Sequence, residues 1–361
     1  MNKLHSEDSP SRRTRFRKLG SVAACLLIAF RVAPPAFANG CLLYQTTTFS
    51  LPGSAYPTSI NSSSTVAGVY QFPGGGFVRD PDGTITTFKS PGGNIISPVY
   101  MNDSGVVAGS YQNTTLMSLP HGFVGNPNVA GGLVSFDPPG SVGTYVRGIN
   151  ASGWVSGFFS DASGYRHGFL YIGGKSLTID FPGAEHTFGE GITPQGAVVG
   201  TYIDNQMIQH GFLCLHNFSC LSFEHPPSLE FLDGLVANSS GTVAGTLHVP
   251  NFQTTFREGY VGNPISGIFA TFQYPGALQD TEAFGINASG EIVGSYLDTN
   301  SINHAFLREP NGAISNVDPP GYLSSAGATA INDSGAFTGF TGALGFVTKP
   351  YVPWWCRLPQ L

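Results

Sequence analysis

Histidine and carboxylate residues that could transfer protons stand close together at one point of the sequence. Glu185, His186 and Glu190 occur within one short stretch, and a matching stretch further along carries Asp280 and Glu282. An imidazole and two carboxylates support general acid–base chemistry when the fold brings them within hydrogen-bond reach of one substrate. Solvated loop charges are the alternative interpretation of these five residues, because charged side chains usually face water.

Signatures of a self-contained catalytic or cofactor site are absent from the sequence. There is no Gly-x-Ser-x-Gly elbow, no phosphate-binding glycine loop and no His-Glu-x-x-His pair. The Asp-Pro-Pro-Gly segments at Asp137 and Asp318 lack the spaced oxygen ligands of a calcium loop. We therefore predict no catalytic residue, no metal site and no cofactor.

The stretches that carry these residues belong to a repeat. Residues 149–157 read Ile-Asn-Ala-Ser-Gly-Trp-Val-Ser-Gly, and residues 286–294 read Ile-Asn-Ala-Ser-Gly-Glu-Ile-Val-Gly. Weaker copies bring the total to seven, with closing glycines 41 to 49 residues apart. These glycines are Gly68, Gly109, Gly157, Gly200, Gly245, Gly294 and Gly339. Each unit holds short apolar runs between Gly, Asn, Asp and Pro turns, which is typical of antiparallel strands.

A repeat of this length that contains four strands has the size of one propeller blade. The last repeat contains only three such runs, and its missing run, Thr-Phe-x-x-Pro-Gly, occurs near the other chain end as residues 48–53. The N-terminal strand should therefore complete the last blade and remove an open sheet edge. The sequence predicts an all-β, seven-bladed β-propeller of four-stranded antiparallel blades, closed by its N-terminal strand.

The first 39 residues have the features of a signal peptide. A basic segment at residues 12–18 precedes an apolar stretch at 19–30, and Ala-Phe-Ala at 36–38 fits a cleavage site. A dozen apolar residues cannot cross a bilayer, which takes about 20. We predict secretion or export to the periplasm, by the general or the twin-arginine route.

The remaining residues, 40–361, are predicted to form a single propeller domain. The repeats lie near residues 54–92, 93–140, 141–184, 185–228, 229–277, 278–322 and 323–351, with the N-terminal strand at 44–53. Removing residues 1–39 takes away seven of the 16 basic and two of the 22 acidic side chains, which leaves a formal net charge of −11. Such a chain lacks the basic patch that nucleic acid or an anionic membrane surface requires.

Loops on one face of the ring are the predicted binding surface. In a propeller, the inter-blade loops share a face with the turns between second and third strands, and loops on a rigid scaffold commonly carry function. Tyr145 and Arg147 enter this face near the start of unit three, and Phe252 and Phe256 belong to a long loop at residues 248–257. They join the acidic residues and His186 as binding candidates.

Histidine and asparagine recur at equivalent positions and invite a metal site and glycosylation, respectively. The histidines, on the third strands, are His121, His167, His210 and His304. Equivalent positions on separate blades are distributed around a ring, so we predict that each histidine is hydrogen-bonded within its own blade.

The Asn-x-Ser sequences begin at Asn61, Asn150, Asn238 and Asn287. Their recurrence in the same turn indicates a role in turn geometry.

Four cysteines follow the signal segment, and an even number in an exported chain indicates disulfides. Cys214 and Cys220 flank a turn between neighbouring strands, where cross-strand residues come within bonding reach. Cys41 precedes the N-terminal strand and Cys356 follows its predicted partner. We predict both disulfides, the second as a latch on the ring.

The chain resembles the extracellular HAF-repeat proteins of bacteria. The resemblance rests on the Ile-Asn-x-x-Gly turn, the Val-x-Gly strand and the triplet His304-Ala305-Phe306, which reads His-Gly-Phe in three other units. It covers nearly the whole chain after the signal segment. It implies an exported bacterial propeller and implies no chemistry.

Three functions remain open at this point. The first is an exported, monomeric binding or interaction module that contacts a protein or glycan through the inter-blade loops. The second is an extracellular hydrolase or lyase acting on a polysaccharide-like polymer, which would require His186 and two carboxylates to converge in the central channel. The third is a lectin, which would require repeated aromatic residues in equivalent loops, and these are not evident.

Overall fold

A computed structural model describes residues 43–352, apart from residues 72–73, 96–97, 114–118, 218, 224–230, 251–254, 279 and 323. The signal segment, Cys41, Cys356 and Phe252 lie outside the described residues. No helix in the described part of the chain is long and apolar enough to cross a membrane.

The described chain is all-β and forms seven antiparallel blades, as predicted. Blades 1 to 3 contain the strands β2 (Ala55–Ile60), β3 (Val66–Tyr70), β4 (Gly75–Arg79), β5 (Ile85–Phe88), β6 (Asn94–Ile95), β7 (Tyr100–Met101), β8 (Val107–Gln112), β9 (His121–Gly125), β10 (Leu133–Phe136), β11 (Ser141–Ile149), β12 (Val155–Asp161), β13 (Arg166–Ile172) and β14 (Lys175–Ile179). Blade 2 departs from the pattern because its inner strand is split into β6 and β7, which both pair with β8.

Blades 4 to 6 follow the same order from the inner to the outer strand. Their strands are β15 (His186–Ile192), β16 (Val198–Ile203), β17 (Gln209–Cys214), β18 (Cys220–Phe223), β19 (Phe231–Ala237), β20 (Val243–Pro250), β21 (Thr255–Asn263), β22 (Ile268–Phe272), β23 (Thr281–Ile286), β24 (Ile292–Leu297), β25 (Asn303–Arg308) and β26 (Ile314–Asn316).

Blade 7 joins the two ends of the described chain. It contains β27 (Ala326–Ile331), β28 (Phe337–Thr341), β29 (Leu344–Tyr351) and the N-terminal strand β1 (Leu43–Phe49) as its outer strand. The register between β1 and β29 runs from Leu43 opposite Tyr351 to Phe49 opposite Gly345. This pairing confirms the predicted closure of the ring.

The core lies between blades rather than within one blade. The described residues contain seven clusters of buried apolar side chains, each with members from two neighbouring blades. One of them joins blade 7 to blade 1 and includes Phe77, Ala336 and Val347. A blade has two apolar faces, so only a neighbour on each side can bury both.

The repeated closing glycine is explained by this packing. A Cβ atom on Gly157 would lie 2.0 Å from the Tyr145 carbonyl oxygen and 2.8 Å from the ring of Phe169, a fully buried side chain. Interiors are packed to crystal-like density, so there is no room for that atom. The inner strand and the buried aromatic ring can approach only where the intervening strand lacks a side chain.

The repeated asparagine forms the turn and also links the blades. The Asn150 side-chain oxygen accepts hydrogen bonds from the backbone nitrogens of Ser152 and Trp154, both at 3.0 Å. The side-chain amides then donate to the backbone oxygen of the next blade's turn. These bonds are Asn102 to Asn150 (3.1 Å), Asn150 to Thr193 (3.5 Å), Asn238 to Asn287 (3.0 Å), Asn287 to Asn332 (3.2 Å) and Asn332 to Asn61 (2.8 Å). The turn role predicted for these residues is confirmed, and the bonds cross the junction between blades 7 and 1.

Candidate functional site

Irregular pairing in the inner strands projects residues into the central channel. The register between first and second strands shifts in six blades, for example between Val146 and Gly148 and between Gly189 and Gly191. A bulge of this kind leaves a residue unpaired and re-aims its side chain. The unpaired residues that line the channel are Thr58, Arg147, Glu190, Gly234, Phe284 and Thr329.

The channel holds a cavity of about 730 Å³ that these residues help to line. A volume in this range is typical of small-molecule sites, which are mostly apolar with a few placed polar groups. Five rings, which we call the aromatic wall, come from Tyr100, Phe158, Phe188, Phe284 and Phe340. The polar lining includes Arg147, Glu190, Gln209, Asp233 and His248.

Glu190 is a titratable group of the cavity whose pKa departs strongly from its ordinary value. Its Oε1 accepts a hydrogen bond from the Thr201 hydroxyl at 2.8 Å, and its Oε2 accepts one from the Leu235 backbone nitrogen at 2.8 Å. Burial outweighs both hydrogen bonds and raises the pKa of Glu190 to about 7, with a smaller contribution from the charge of Asp233. A carboxyl with this pKa changes its protonation near neutral pH and can donate or accept a proton.

Arg147 lies on the neighbouring blade and faces the same cavity. Its guanidinium carbon is 5.5 Å from the centre of the Phe158 ring, a cation–π geometry. It also hydrogen-bonds the Tyr100 side chain, whose pKa is raised by burial and lowered in part by this arginine. Arg147 forms no ion pair with any carboxylate in the described part of the chain.

In blade 5 the irregularity of the inner strand is wider, and it adjoins Asp233 in the cavity lining. The register shifts between Asp233 and Val236, and Gly234 takes a φ of 65°, which is the left-handed conformation that glycine adopts most readily. Leu235 is thereby fully buried, while its backbone nitrogen points to Glu190. Asp233 remains exposed at the cavity lining.

A smaller cavity of about 280 Å³ lies at the asparagine turns. Its lining contains turn residues of all seven blades, among them Asn61, Asn150 and Asn332. Their side chains already hydrogen-bond their own and neighbouring turns, so this end of the channel is structural in character.

The predicted loop face exists, because inter-blade loops meet the second-to-third turns. The Arg166 backbone nitrogen donates to His186 Nδ1 at 3.1 Å, and the Thr144 nitrogen donates to the Pro120 oxygen at 2.7 Å. However, the structure does not bring the predicted residues together on this face. Glu185 is exposed in the loop, whereas His186 and Glu190 belong to strand β15 and only Glu190 lines the cavity. Strand β15 already begins at His186, so this residue belongs to the inner strand and not to the inter-blade loop.

The remaining predicted residues lie within blades 3 and 5 and at the boundary between blades 5 and 6. Tyr145 stacks on Phe158 at 4.7 Å and takes no direct part in the cavity lining. Asp280 accepts a hydrogen bond from the Arg257 backbone at 3.0 Å, and Glu282 pairs with the Arg257 side chain. Phe256 was predicted in a loop but belongs to strand β21, where it pairs with Val249 of β20, because this hairpin extends further than the sequence indicated. Asp280 and Glu282 therefore have a structural partner already, and they lie two blades away from Glu190.

The recurring histidines are hydrogen-bonded within their own blades, as predicted. His121 Nδ1 lies 2.7 Å from Asp137, His167 Nδ1 lies 2.9 Å from Asp180, and His304 Nδ1 lies 2.6 Å from Asp318. His210 Nε2 lies 3.1 Å from Asp204. Within the described residues, no group of three or more His, Cys, Asp or Glu side chains is placed to hold a metal ion.

The Cys214–Cys220 disulfide is present at the predicted place. The two cysteines are register partners in β17 and β18, the third and fourth strands of blade 4. The predicted Cys41–Cys356 bond lies outside the described residues, and it stays a prediction.

The fold and cavity together define a seven-bladed propeller with a small-molecule-sized site at its axis. No protein-family model and no curated protein matches the chain. Among solved structures it is similar to a streptogramin B lyase (TM-score 0.58, 12% identity, 86% of this chain and 98% of that chain). It is also similar to a catalytically inactive virginiamycin B lyase from Staphylococcus aureus solved with quinupristin (TM-score 0.56, 13% identity, 85% and 99%). Puromycin hydrolase matches with TM-score 0.56 at 12% identity, over 84% of this chain and 54% of that chain. At these identities the likeness concerns the fold alone.

The sequence predicted Arg147 and Glu190 as binding residues but placed them on the inter-blade loop face rather than on inner strands that face the channel. The missed signal is their shared position, three residues before the turn at Asn150 and Thr193, which is also the position of Thr58, Phe284 and Thr329. Asp233, Gln209 and His248 do not occupy this position, since Asp233 adjoins the register shift at Gly234 and the other two lie on β17 and β20.

Proposed function

We propose that this protein is an exported binding module whose ligand site is the channel cavity lined by the aromatic wall, Arg147 and Glu190. The ligand is a small molecule, or a protruding part of a larger protein or glycan, that enters through the loop face. The observation that carries the proposal is the lining itself. It combines five aromatic rings with a few convergent polar groups, in a volume of about 730 Å³.

The position of the cavity supports this function over a contact spread across the inter-blade loops. Asp280 and Glu282 hold Arg257, and His186 holds the Arg166 backbone, so three of the predicted loop contacts stabilise blade boundaries. Glu190, in contrast, faces the channel from a rigid inner strand. Binding groups on rigid elements are positioned more accurately than groups on loops.

Fluorescence titration with the neutral apolar dye N-phenylnaphthylamine (NPN) tests the proposal. We expect saturable binding of one dye per chain, weakened at least about fivefold by Phe284→Ala and by Phe340→Ala, because each removes apolar contact area. Tyr165→Ala is the matched control, since Tyr165 is an exposed ring at a second-to-third turn outside the cavity lining. Absence of saturable binding, or equal losses in all three variants, would contradict a channel site.

Export is part of the same proposal. The Cys214–Cys220 disulfide supports it, because disulfides persist mainly in oxidising compartments. The basic and apolar segments before residue 39 and the resemblance to extracellular HAF-repeat proteins point the same way. Fractionation of a bacterium expressing the full chain tests it, and we expect a processed protein outside the cytoplasm. A full-length protein retained in the cytoplasm would be the contrary result.

A hydrolase or lyase is the second candidate, and the protonation of Glu190 favours it. A carboxyl whose pKa is raised to about 7 by burial suits a general acid or base, and Asp233 and His248 line the same cavity. His186, the histidine expected in that role, does not line the cavity. Turnover of a polysaccharide that is lost in Glu190→Gln, with NPN binding retained, would establish this activity.

A further inference from the structure

The cavity has one charged side, built by three consecutive blades. Arg147 comes from blade 3, Glu190 from blade 4 and Asp233 from blade 5. Phe284 of blade 6 and Phe340 of blade 7 belong to the rest of the lining. A ligand that fills the cavity must therefore combine an apolar body with a polar or charged group.

The guanidinium of Arg147 is the group that calls for a partner. Its contacts are the Phe158 ring and the Tyr100 side chain. It forms no salt bridge among the described residues, and Glu190 interacts with it only through longer-range electrostatics. Arg147 is half-buried at the cavity lining, and an anionic group of a ligand could form there the salt bridge that the described residues do not provide. Guanidinium binds carboxylate, sulfonate and phosphate groups with paired N–H donors.

The surroundings of Glu190 decide whether such an anion can enter. Glu190 is faced by Arg147 of β11, Thr201 of β16, and Asp233 and the Leu235 nitrogen of β19. Tyr100 of β7 also lies near enough to interact electrostatically, and His248 of β20 lines the same cavity. Asp233 is exposed, so water screens its charge, whereas the half-buried Glu190 can lose its charge by taking up a proton.

We propose that the ligand of this cavity is an organic anion with a flat apolar body, whose anionic group binds Arg147 while the Glu190 carboxyl is protonated. This inference rests on the proposed function and specifies its ligand class. Binding of one anion at neutral pH is coupled to the uptake of up to one proton from water by the Glu190 carboxylate. The protonated carboxyl can then donate its own hydrogen bond to the anion.

Two dyes with the same ring system separate this inference from the general binding proposal. Anilinonaphthalene sulfonate (ANS) adds a sulfonate to the NPN skeleton, and both report binding by fluorescence. We expect the folded protein to bind ANS at least tenfold more tightly than NPN at pH 6. The ANS affinity should fall about tenfold between pH 6 and pH 8 while the NPN affinity changes little, because only the anion needs protonated Glu190.

Variants assign these effects to residues. Arg147→Met should weaken ANS at least tenfold and leave NPN within twofold, which also shows that the cavity is intact. Arg166→Met is the matched control, because Arg166 contacts the same Phe158 ring from outside the cavity lining. Glu190→Gln should make ANS binding insensitive to pH, and His248→Gln should leave the pH dependence in place.

The outcomes are distinct. NPN binding without any preference for ANS, equal losses of both dyes in Arg147→Met, or an ANS affinity that rises with pH would overturn the anion proposal and leave the channel site standing. Failure of both dyes to bind the folded protein would overturn the channel site and the anion proposal together.

Discussion

Glu190 is a residue whose burial links ligand binding to stability. Its pKa is raised from 4.5 to about 7, so the folded state holds a proton that the unfolded state has released between these values. Stability should therefore fall as pH rises from about 4.5 to about 7 and become level above that range. We expect this effect to change the free energy of unfolding by about 1 to 3 kcal/mol, because the side chain is partly exposed.

Urea unfolding of Glu190→Gln across this range checks the sign. We expect the variant to match the wild type near pH 5 and to be more stable by about 1 to 3 kcal/mol near pH 8, because glutamine never charges. Its amide oxygen can accept from the Leu235 nitrogen, and its amide nitrogen can donate to the Thr201 hydroxyl oxygen, which reverses the direction of that bond. A variant that loses stability equally at both pH values would show that the carboxyl has no elevated pKa.

The candidate site was predictable in its residue types and only partly in its location. Arg147 and Glu190 stand out in the sequence as charged residues in apolar repeats, yet a strand with strict alternation would not have aimed them into the channel. The one-residue bulge does so, and bulges follow from backbone pairing rather than from composition. Asp233 lies at the cavity next to the left-handed backbone conformation of Gly234, and the repeated sequence pattern does not predict that conformation.

The asparagine turn is the element that connects one blade to the next. Asn332 accepts from the Ser334 and Ala336 nitrogens at 3.0 Å each and donates to the Asn61 oxygen at 2.8 Å, across the junction of blades 7 and 1. We expect Asn332→Ala to lower the free energy of unfolding by roughly 2 to 3 kcal/mol, since it removes several buried hydrogen bonds at once.

Asn126→Ala is the control for this turn prediction. The Asn126 side chain accepts one exposed hydrogen bond, from the Asn128 nitrogen at 2.9 Å, so its loss should cost less than about 1 kcal/mol. Denaturant titrations of both variants give the comparison. Similar small losses of unfolding free energy in the two variants would mean that the inter-blade hydrogen bonds contribute little to stability.

The β17–β18 hairpin carries a second local constraint, its disulfide. Cys214 and Cys220 close a short loop, for which the chain-entropy estimate is about 2 kcal/mol. The double substitution Cys214→Ala with Cys220→Ala should lower unfolding stability by up to that amount and leave NPN binding unchanged, because neither cysteine lines the cavity. Loss of dye binding in a folded double variant would be inconsistent with this separation of roles.

Ring closure is a property of the whole molecule and depends on β1. This strand pairs with β29 over seven residues and covers an edge that would otherwise be open. A variant that begins at residue 52 should melt at least about 10 °C lower and associate through the exposed edge, whereas removal of residues 1–39 alone should do neither. Light scattering and thermal melts test this, and an unchanged, monomeric truncation would refute the closure role.

The fold could be predicted from the sequence because each blade repeats the same requirements. Glycine is needed where Gly157 meets Phe169, asparagine where Asn150 forms its turn, and the phrase around Phe49 marks a fourth strand displaced to the other chain end. The split inner strand of blade 2 was not predictable, since Tyr100 and Met101 show the normal repeat.

A crystal structure of the protein with ANS at pH 6 is the most direct test of the channel site. We expect the sulfonate within hydrogen-bond distance of the Arg147 guanidinium and the ring system against Phe284 and Phe340. Dye bound at the asparagine turns or on the outer strands, with the channel cavity empty, would contradict it.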